Sequence, residues 1–410
     1  MNLFKVISER LLVLNYDICS LEWKFLNKLG VKSRFPPILT GLIRALYFSL
    51  KSLRDIYIHV PKDKVLFFVG SHNQVKALSK VHQKSENGVM LSIHNFRNMK
   101  CDSHIPLFWF YFMGWLVFPI TVISIYAIPN EYQKWALKIR FERALISSCS
   151  VWVWKFLFMI WRPRTVIISN DHNHWTCAIV QATKELNIPS VYIPHAFTSE
   201  TFPPLECTYS CLESDIQKNR YVNRNSDIRV VGAVRYEDNI KPISRQPLKG
   251  ILVCFNELDS NDWVRDIIEN LVRESNFQIF IKPHPADVSR HTFFEGISKE
   301  FHVDYVEPCS DISTLQDRVQ ILLGGITGAH IDALIYSMLP MTFENWYPED
   351  YYGLLSDGAL LKVKNASSIS FEYSQNIEQI HKKRVQYNYH CKKPDLMPSD
   401  QIIKIINDIK

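Results

Sequence analysis

What this sequence lacks narrows it first. Its 410 residues include nine cysteines, an odd number, and none stand in a Cys-x-x-Cys pair. Cys207 and Cys211 come nearest but lack the companion ligands of a zinc site, so the thiols read as buried side chains of a reducing compartment. There is no internal repeat and no low-complexity tract, which sets aside solenoids and disordered tails. No cleavable signal peptide is expected, because Lys5, Glu9 and Arg10 interrupt the opening apolar residues, and the expected address is cytoplasmic. Charge is sparse: 21% of residues are charged, the net value is +6 and the pI is near 8.7. That balance favours an anionic surface or substrate and argues against a dedicated nucleic-acid binder. No Asp-x-Asp pair points to an obligatory divalent metal, and no cofactor is expected.

What is present is core. The apolar fraction is 47%, and the length suits two domains of ordinary size. Residues 1–60 form an N-terminal helical segment, with Leu11, Leu12 and Leu14, then Ile38, Leu39, Leu42, Ile43 and Leu46, at helical spacing on either side of Pro36-Pro37. Lys24, Lys28, Lys32, Arg34, Arg44, Lys51 and Arg54 accompany them, which suits either an anionic membrane or a cap packed on the next domain. Residues 61–245 read as a first α/β domain. Strands are predicted at Val65–Ser71, Val89–Ile93, Thr165–Ser169, Ser190–Ile193, Cys207–Glu213 and Arg229–Val234. A linker marked by Pro242, Ser244, Pro247 and Gly250 leads to a second domain over 246–385, with strands near 250, 277, 301, 319 and 339. Residues 386–410 hold a last helix.

One stretch is unusual. No charged residue occurs from Ile105 to Asn130, a length that by itself licenses a membrane span. Strands of one sheet are predicted on both sides of it, and a span would separate them across the bilayer. The expectation is therefore an apolar hairpin or surface patch. The aromatic run Trp152, Trp154, Phe156, Leu157, Phe158, Ile160 and Trp161 continues it, so that 105–161 forms a membrane-facing insertion of a monotopic enzyme.

The organising stretch is Phe277–Asp287. An apolar run ends in Lys282-Pro283-His284-Pro285, where proline stops the strand and holds Lys282 and His284 at its carboxyl end. Ligands of open α/β sheets bind at that end. About forty residues on, Val319–Leu323 runs into Gly324-Gly325-Ile326-Thr327-Gly328 and a helix start. Such a turn presents main-chain N–H groups to a phosphate. In the first domain Asn170, Asp171, His172, Asn173 and His174 follow one strand, and His195 follows the next, before Thr198, Ser199, Glu200 and Thr201. Asp171 is the first candidate for a general base and His172 the second, with Glu257 and Asp259 behind them. His195 and His174 are candidates for binding acceptor. Tyr347, Asp350, Tyr351, Tyr352 and Gly353 are placed to close over a nucleotide base.

Lys282-Pro283-His284-Pro285 followed by the glycine and hydroxyl turn resembles a family. It is similar to the bacterial CMP-sialic acid and CMP-Kdo transferases, the capsule polysaccharide synthases and the CDP-glycerol glycerophosphotransferases, over roughly residues 165–360. The resemblance implies two facing Rossmann-like domains, the glycosyltransferase B fold. It also implies that His284 contacts the donor phosphate, with Lys282, Gly325, Thr327 and Gly328 beside it and Asp332 reaching ribose hydroxyls. The chain departs from the sialyltransferase pattern twice: Ile326-Thr327-Gly328 replaces a Ser-Ser pair, and Asn170-Asp171-His172-Asn173 replaces an acidic pair followed by glycine. The expected activity is inverting, metal-independent transfer from a nucleotide sugar, CMP-linked by preference, to a glycan or lipid-linked acceptor of a bacterial surface polysaccharide or lipooligosaccharide. The enzyme would sit peripherally on the inner membrane surface, with no nucleic-acid partner. A CDP-glycerol-type polyol-phosphate transferase, a UDP-N-acetylhexosamine epimerase and a non-catalytic capsule assembly protein remain open.

Overall fold

The computed structural model describes residues 3–19, 37–53, 56, 60–93, 101–198, 202–221, 225–238, 247–285, 287–325, 327–346, 350, 352–386 and 396–409. Lys24, Lys28, Lys32, Arg34, Arg54, Ser199, Glu200, Thr201, Pro242, Ser244, Ile326, Tyr347 and Tyr351 lie outside them.

Thirteen strands among the described residues form two all-parallel sheets. The first contains β1 (Val65–Val69), β2 (Gly88–Ser92), β3 (Ser103–His104), β4 (Thr165–Ile168), β5 (Ser190–Tyr192), β6 (Tyr209–Leu212) and β7 (Asp227–Val230), in the order β3-β2-β1-β4-β5-β6-β7. The second contains β8 (Gly250–Cys254), β9 (Gln278–Lys282), β10 (Asp304–Tyr305), β11 (Ile321–Gly324), β12 (Leu339–Phe343) and β13 (Leu361–Val363), in the order β10-β9-β8-β11-β12-β13. Each order reverses once, between β1 and β4 and between β8 and β11. That reversal is the switch point of a doubly wound fold. The expected pair of Rossmann-like domains with an N-terminal helical extension is therefore present.

The central strands form because their sequences suit burial on both faces. Along β1, alternate residues serve opposite layers. Leu66 and Phe68 pack on the helices Phe141–Trp161 and His174–Glu185, with the Phe68 and Trp154 rings 5.1 Å apart. Val65, Phe67 and Val69 pack on the helix His72–Lys84 and on Ile402 and Ile406 of the last helix, Pro398–Asp408. That last helix returns to the first sheet. Lys84 Nζ donates to Ser399 Oγ (2.7 Å), and Arg164 donates to the Asn407 carbonyl (3.1 Å). The helices start where hydroxyl and amide caps dictate: Ser71, Asn173 and Ser260 each accept an N–H of the first turn.

The charge-free run folds as two helices, Leu107–Leu116 and Phe118–Tyr126, meeting at 69°. Among the described residues one helix, Phe141–Trp161, is long and apolar enough to cross a membrane, and 72% of its apolar window is buried inside the protein. Trp154, Leu157, Phe158 and Trp161, read from sequence as part of a membrane-facing run, are core residues. Trp152, Phe156 and Ile160 of the same helix are exposed. Sequence patterning missed β3, β13 and the helix Ile369–Gln386, and it placed Phe301 in a strand, whereas Phe301 ends the helix His291–Phe301.

Candidate functional site

The second sheet presents a level edge. Cys254 at the end of β8 pairs with Lys282 of β9 on one side and Gly324 of β11 on the other, so three strand ends finish in register. Lys282 is buried, and its ammonium donates to the main-chain carbonyls of Pro308 and Glu307, tying β9 to the loop after β10. Burial lowers its pKa, partly offset by Cys254 and nearby acids. His284 stands beyond it with its side chain 51% exposed and Nδ1 3.8 Å from Glu257 Oε1, which follows β8. Arg290 braces both loops from behind, pairing with Asp287 and donating to the Asn256 carbonyl (2.8 Å).

On the other flank of β8, Gly325 lies against the Trp346 indole. A Cβ there would come within 2.6 Å of Trp346 Nε1, so only glycine permits the approach. The indole is fixed: Nε1 donates to Asp259 Oδ1 (2.8 Å), and Asp259 Oδ2 accepts the Asn256 N–H (2.7 Å). Thr327 Oγ1 accepts the Ala329 N–H (3.2 Å), and Gly328 leads into the seven-residue helix Ala329–Ile335. His330 of that helix is fully buried, and burial pushes its imidazole down to about 4. Asp332 accepts a hydrogen bond from Tyr236 of the first half. Burial raises its pKa, and Arg235 and the Tyr236 hydroxyl counteract that.

The first sheet presents the opposing edge. Asn170 Oδ1 accepts the N–H groups of His172 (3.0 Å) and Asn173 (2.9 Å), folding the chain after β4 back on itself. Asp171 is committed on both oxygens. Oδ1 meets His172 Nδ1 at 2.9 Å, Oδ2 accepts the Tyr221 hydroxyl at 2.9 Å, and the side chain is only 8% exposed. With Nδ1–H donating to Asp171, His172 Nε2 accepts from Asn170 Nδ2 at 3.3 Å, and the ring packs on Phe202 with centroids 4.8 Å apart. His174 is buried against Trp175.

His195, half-buried after β5, differs. Its Nδ1 faces the Ser169 carbonyl, an acceptor only, so the proton sits on Nδ1 and the Nε2 lone pair is left to act as base. Burial pushes this imidazole down to about 4 despite the bond to Ser169, and His172 and Arg235 push the same way. Arg235 also donates to the His195 carbonyl (2.9 Å) and pairs with buried Glu213 (3.3 Å).

The two edges meet. Phe197, two residues past His195, is buried in the core of the second domain. Arg220 lies over its ring (4.6 Å), donates to the Thr198 carbonyl (3.2 Å) and pairs with Asp357 (2.7 Å). Gly353, at φ +64°, lets the chain pass the guanidinium. Lys76 from the helix after β1 pairs with Asp311 from the loop after β10. Burial would raise the Asp311 pKa, but Lys76 and the Ser313 N–H hold it at about 2. The structure thus brings Asp171, His172 and His195 together on one edge and Lys282, His284, Gly325, Thr327, Gly328 and Asp332 on the other. Sequence reasoning missed Arg220, Tyr221, Arg235 and Tyr236, whose partners are distant in the chain. Among the described residues no group of three or more His, Cys, Asp or Glu side chains is arranged to hold a metal ion.

No protein-family model and no curated protein matches the sequence. Solved structures do match. MnaA of S. aureus with UDP is 12% identical and has a TM-score of 0.50 over 84% of this chain and 96% of its own. UDP-GlcNAc 2-epimerase from Neisseria meningitidis with UDP-GlcNAc is 14% identical with a TM-score of 0.50, covering 84% and 99%. The wall teichoic acid polymerase TagF with CDPG is 11% identical with a TM-score of 0.50, covering 90% and 96%. At these identities the likeness establishes the fold, two parallel-sheet α/β domains of the glycosyltransferase B architecture.

Proposed function

We propose that this chain is a glycosyltransferase that moves a sugar from a nucleotide donor, CMP-linked by preference, to a glycan or lipid-linked acceptor of a bacterial surface polysaccharide. The observation that carries the reading is the level edge at the β8–β11 switch point, with His284 on one flank and the Gly324–Gly328 turn on the other. An imidazole and a glycine-rich turn that follow strand ends of the same sheet suit a departing phosphate, whose charge grows in the transition state. Lys282 acts behind His284, holding the loop after β10.

Within this reading the base is His195 rather than Asp171. Both Asp171 oxygens are occupied, and His172 Nε2 faces the Asn170 amide. The His195 tautomer is fixed by the Ser169 carbonyl, with the basic nitrogen turned from that main-chain partner. Neutral at physiological pH, it is ready to take the acceptor's hydroxyl proton as the hydroxyl attacks the anomeric carbon from the face opposite the nucleotide, giving inversion. Asp171 and His172 then position acceptor.

A polyol-phosphate transferase using a CDP-linked donor is the second reading. It is favoured by the extent of the likeness to TagF, which takes in 90% of this chain. Thermal shifts with CMP, CDP, UDP and GDP, followed by product release from a panel of nucleotide sugars and CDP-glycerol, separate the two. Absence of any nucleotide-induced shift would overturn both.

A further inference from the structure

Apolar side chains are exposed on several helices, Trp152, Phe156, Met159 and Ile160 of Phe141–Trp161 among them. Phe141–Trp161 is mostly interior, whereas the helix Pro37–Ser52 carries a solvent-facing row at helical spacing: Leu39, Ile43, Leu46, Tyr47 and Leu50, continued by Leu53. Leu46 is 54% exposed and Leu50 61%. A soluble monomer gains nothing from such a row.

The opposite face fixes the helix to the protein. Ala45 is fully buried, and a Cβ on Gly41 would fall 2.4 Å from Phe141 Cβ, so the helix lies flat on its support at van der Waals distance. Ser49 Oγ accepts the Trp115 indole N–H (2.8 Å), and Phe48 stacks on Tyr111. Through these contacts the row adjoins the charge-free helices 107–126, which expose Phe112, Leu116, Ile123 and Tyr126.

Charge identifies the occupant. The helix Pro37–Ser52 has Arg44 and Lys51 and no acidic residue, and Lys24, Lys28, Lys32 and Arg34 precede it in sequence. On the neighbouring helix Lys138 lies over the exposed Tyr126 ring (4.1 Å). A flat apolar row flanked by cations and backed by a rigid domain fits an anionic lipid surface. The leucines enter the acyl boundary and the cations stay among the headgroups. We propose that the helix Pro37–Ser52, together with the outer corner of 107–126, is the membrane-docking face and that it binds anionic bilayers in the interfacial plane without crossing them. This goes beyond the proposed function and rests on nothing assumed about donor or base.

Flotation of the full-length protein with vesicles of phosphatidylcholine, alone or mixed with phosphatidylglycerol, tests it. The protein is expected to float with the anionic vesicles, to float less in high salt, and to favour them over phosphatidylcholine alone. L46E/L50E, and separately L116E, should weaken flotation about tenfold or more, while R44Q/K51Q should abolish the preference for phosphatidylglycerol. Circular dichroism and thermal melting matching the wild type establish that each variant is folded, and the readout needs neither donor nor acceptor. Undiminished flotation of both L46E/L50E and L116E overturns the proposal. So does a wild type that never floats, or one that is a dimer which L46E/L50E converts to a non-floating monomer, since the face would then join two copies of the chain.

Discussion

His195 and Ser169 face each other across the β4–β5 boundary, the imidazole Nδ1 donating to the main-chain carbonyl. That bond decides which nitrogen can accept a proton, and burial keeps the ring neutral by lowering its pKa to about 4. If this is the base, His195→Ala lowers kcat about 10²–10⁴-fold, and Asp171→Asn lowers it less. The acid limb of kcat/KM should fall near pH 4 instead of near 6.5, the ordinary imidazole value. A limb well above pH 4, or an Asp171→Asn variant as inactive as His195→Ala, removes His195 from the role of base.

The same physics predicts acid sensitivity of the fold. His330 is fully buried with a pKa of about 4 against 6.5 when unfolded, so below 6.5 the unfolded chain binds the proton the folded one refuses. Its stabilising contribution is complete above pH 6.5 and is lost as pH falls from 6.5 towards 4. The full loss amounts to about 3 kcal/mol. Urea midpoints measured across that range should fall, and His330→Gln should flatten the slope. An unchanged slope in His330→Gln removes this imidazole from the explanation.

His284→Ala should weaken nucleotide-induced thermal shifts and reduce turnover, because the imidazole stands exposed at the end of β9 where the donor phosphate is proposed to lie. Intact binding and turnover would falsify the donor-site assignment. Gly325→Ala tests the other flank. Its methyl would come 2.6 Å from Trp346 Nε1, and the indole cannot yield without leaving Asp259. Overpacking of this kind costs about 1–3 kcal/mol. If the turn binds phosphate, the nucleotide-induced shift should be lost from a protein that still folds.

How much of this was legible in the sequence follows from how local each cause is. The strands β1, β4, β8, β9 and β11 are largely apolar runs, and the edge they form could be read because glycine follows β1 and ends β11, proline follows β9, and polar residues follow β4 and β8. β3 has two residues and β13 three, too few for a periodic signal, and both owe their pairing to neighbouring strands. Lys282 reads as a phosphate ligand until the carbonyls of Glu307 and Pro308 are found around it. His195 reads as one polar residue among several, since its tautomer depends on a carbonyl 26 residues earlier. The aromatic run ending at Trp161 has the composition of a membrane face, but only the packing of Trp154 on Phe68 shows that its inner side is core.

The bond least visible in the sequence yields the last prediction. Tyr236 in the first half, which is buried, donates to the half-buried Asp332 in the second, 96 residues apart. Tyr236→Phe removes the donor while keeping the ring, which packs edge-on to Tyr336 at 6.2 Å. A half-buried carboxylate left without its donor costs about 1 kcal/mol. The hydroxyl favours the charged carboxylate, so the loss is greatest where Asp332 is ionised. It shrinks as acid protonates Asp332, whose pKa is already raised by burial. Denaturant midpoints of wild type and Tyr236→Phe should therefore lie farther apart at higher pH and converge as the pH is lowered. A gap that is constant with pH would mean that packing, rather than the hydrogen bond, joins the halves at this point.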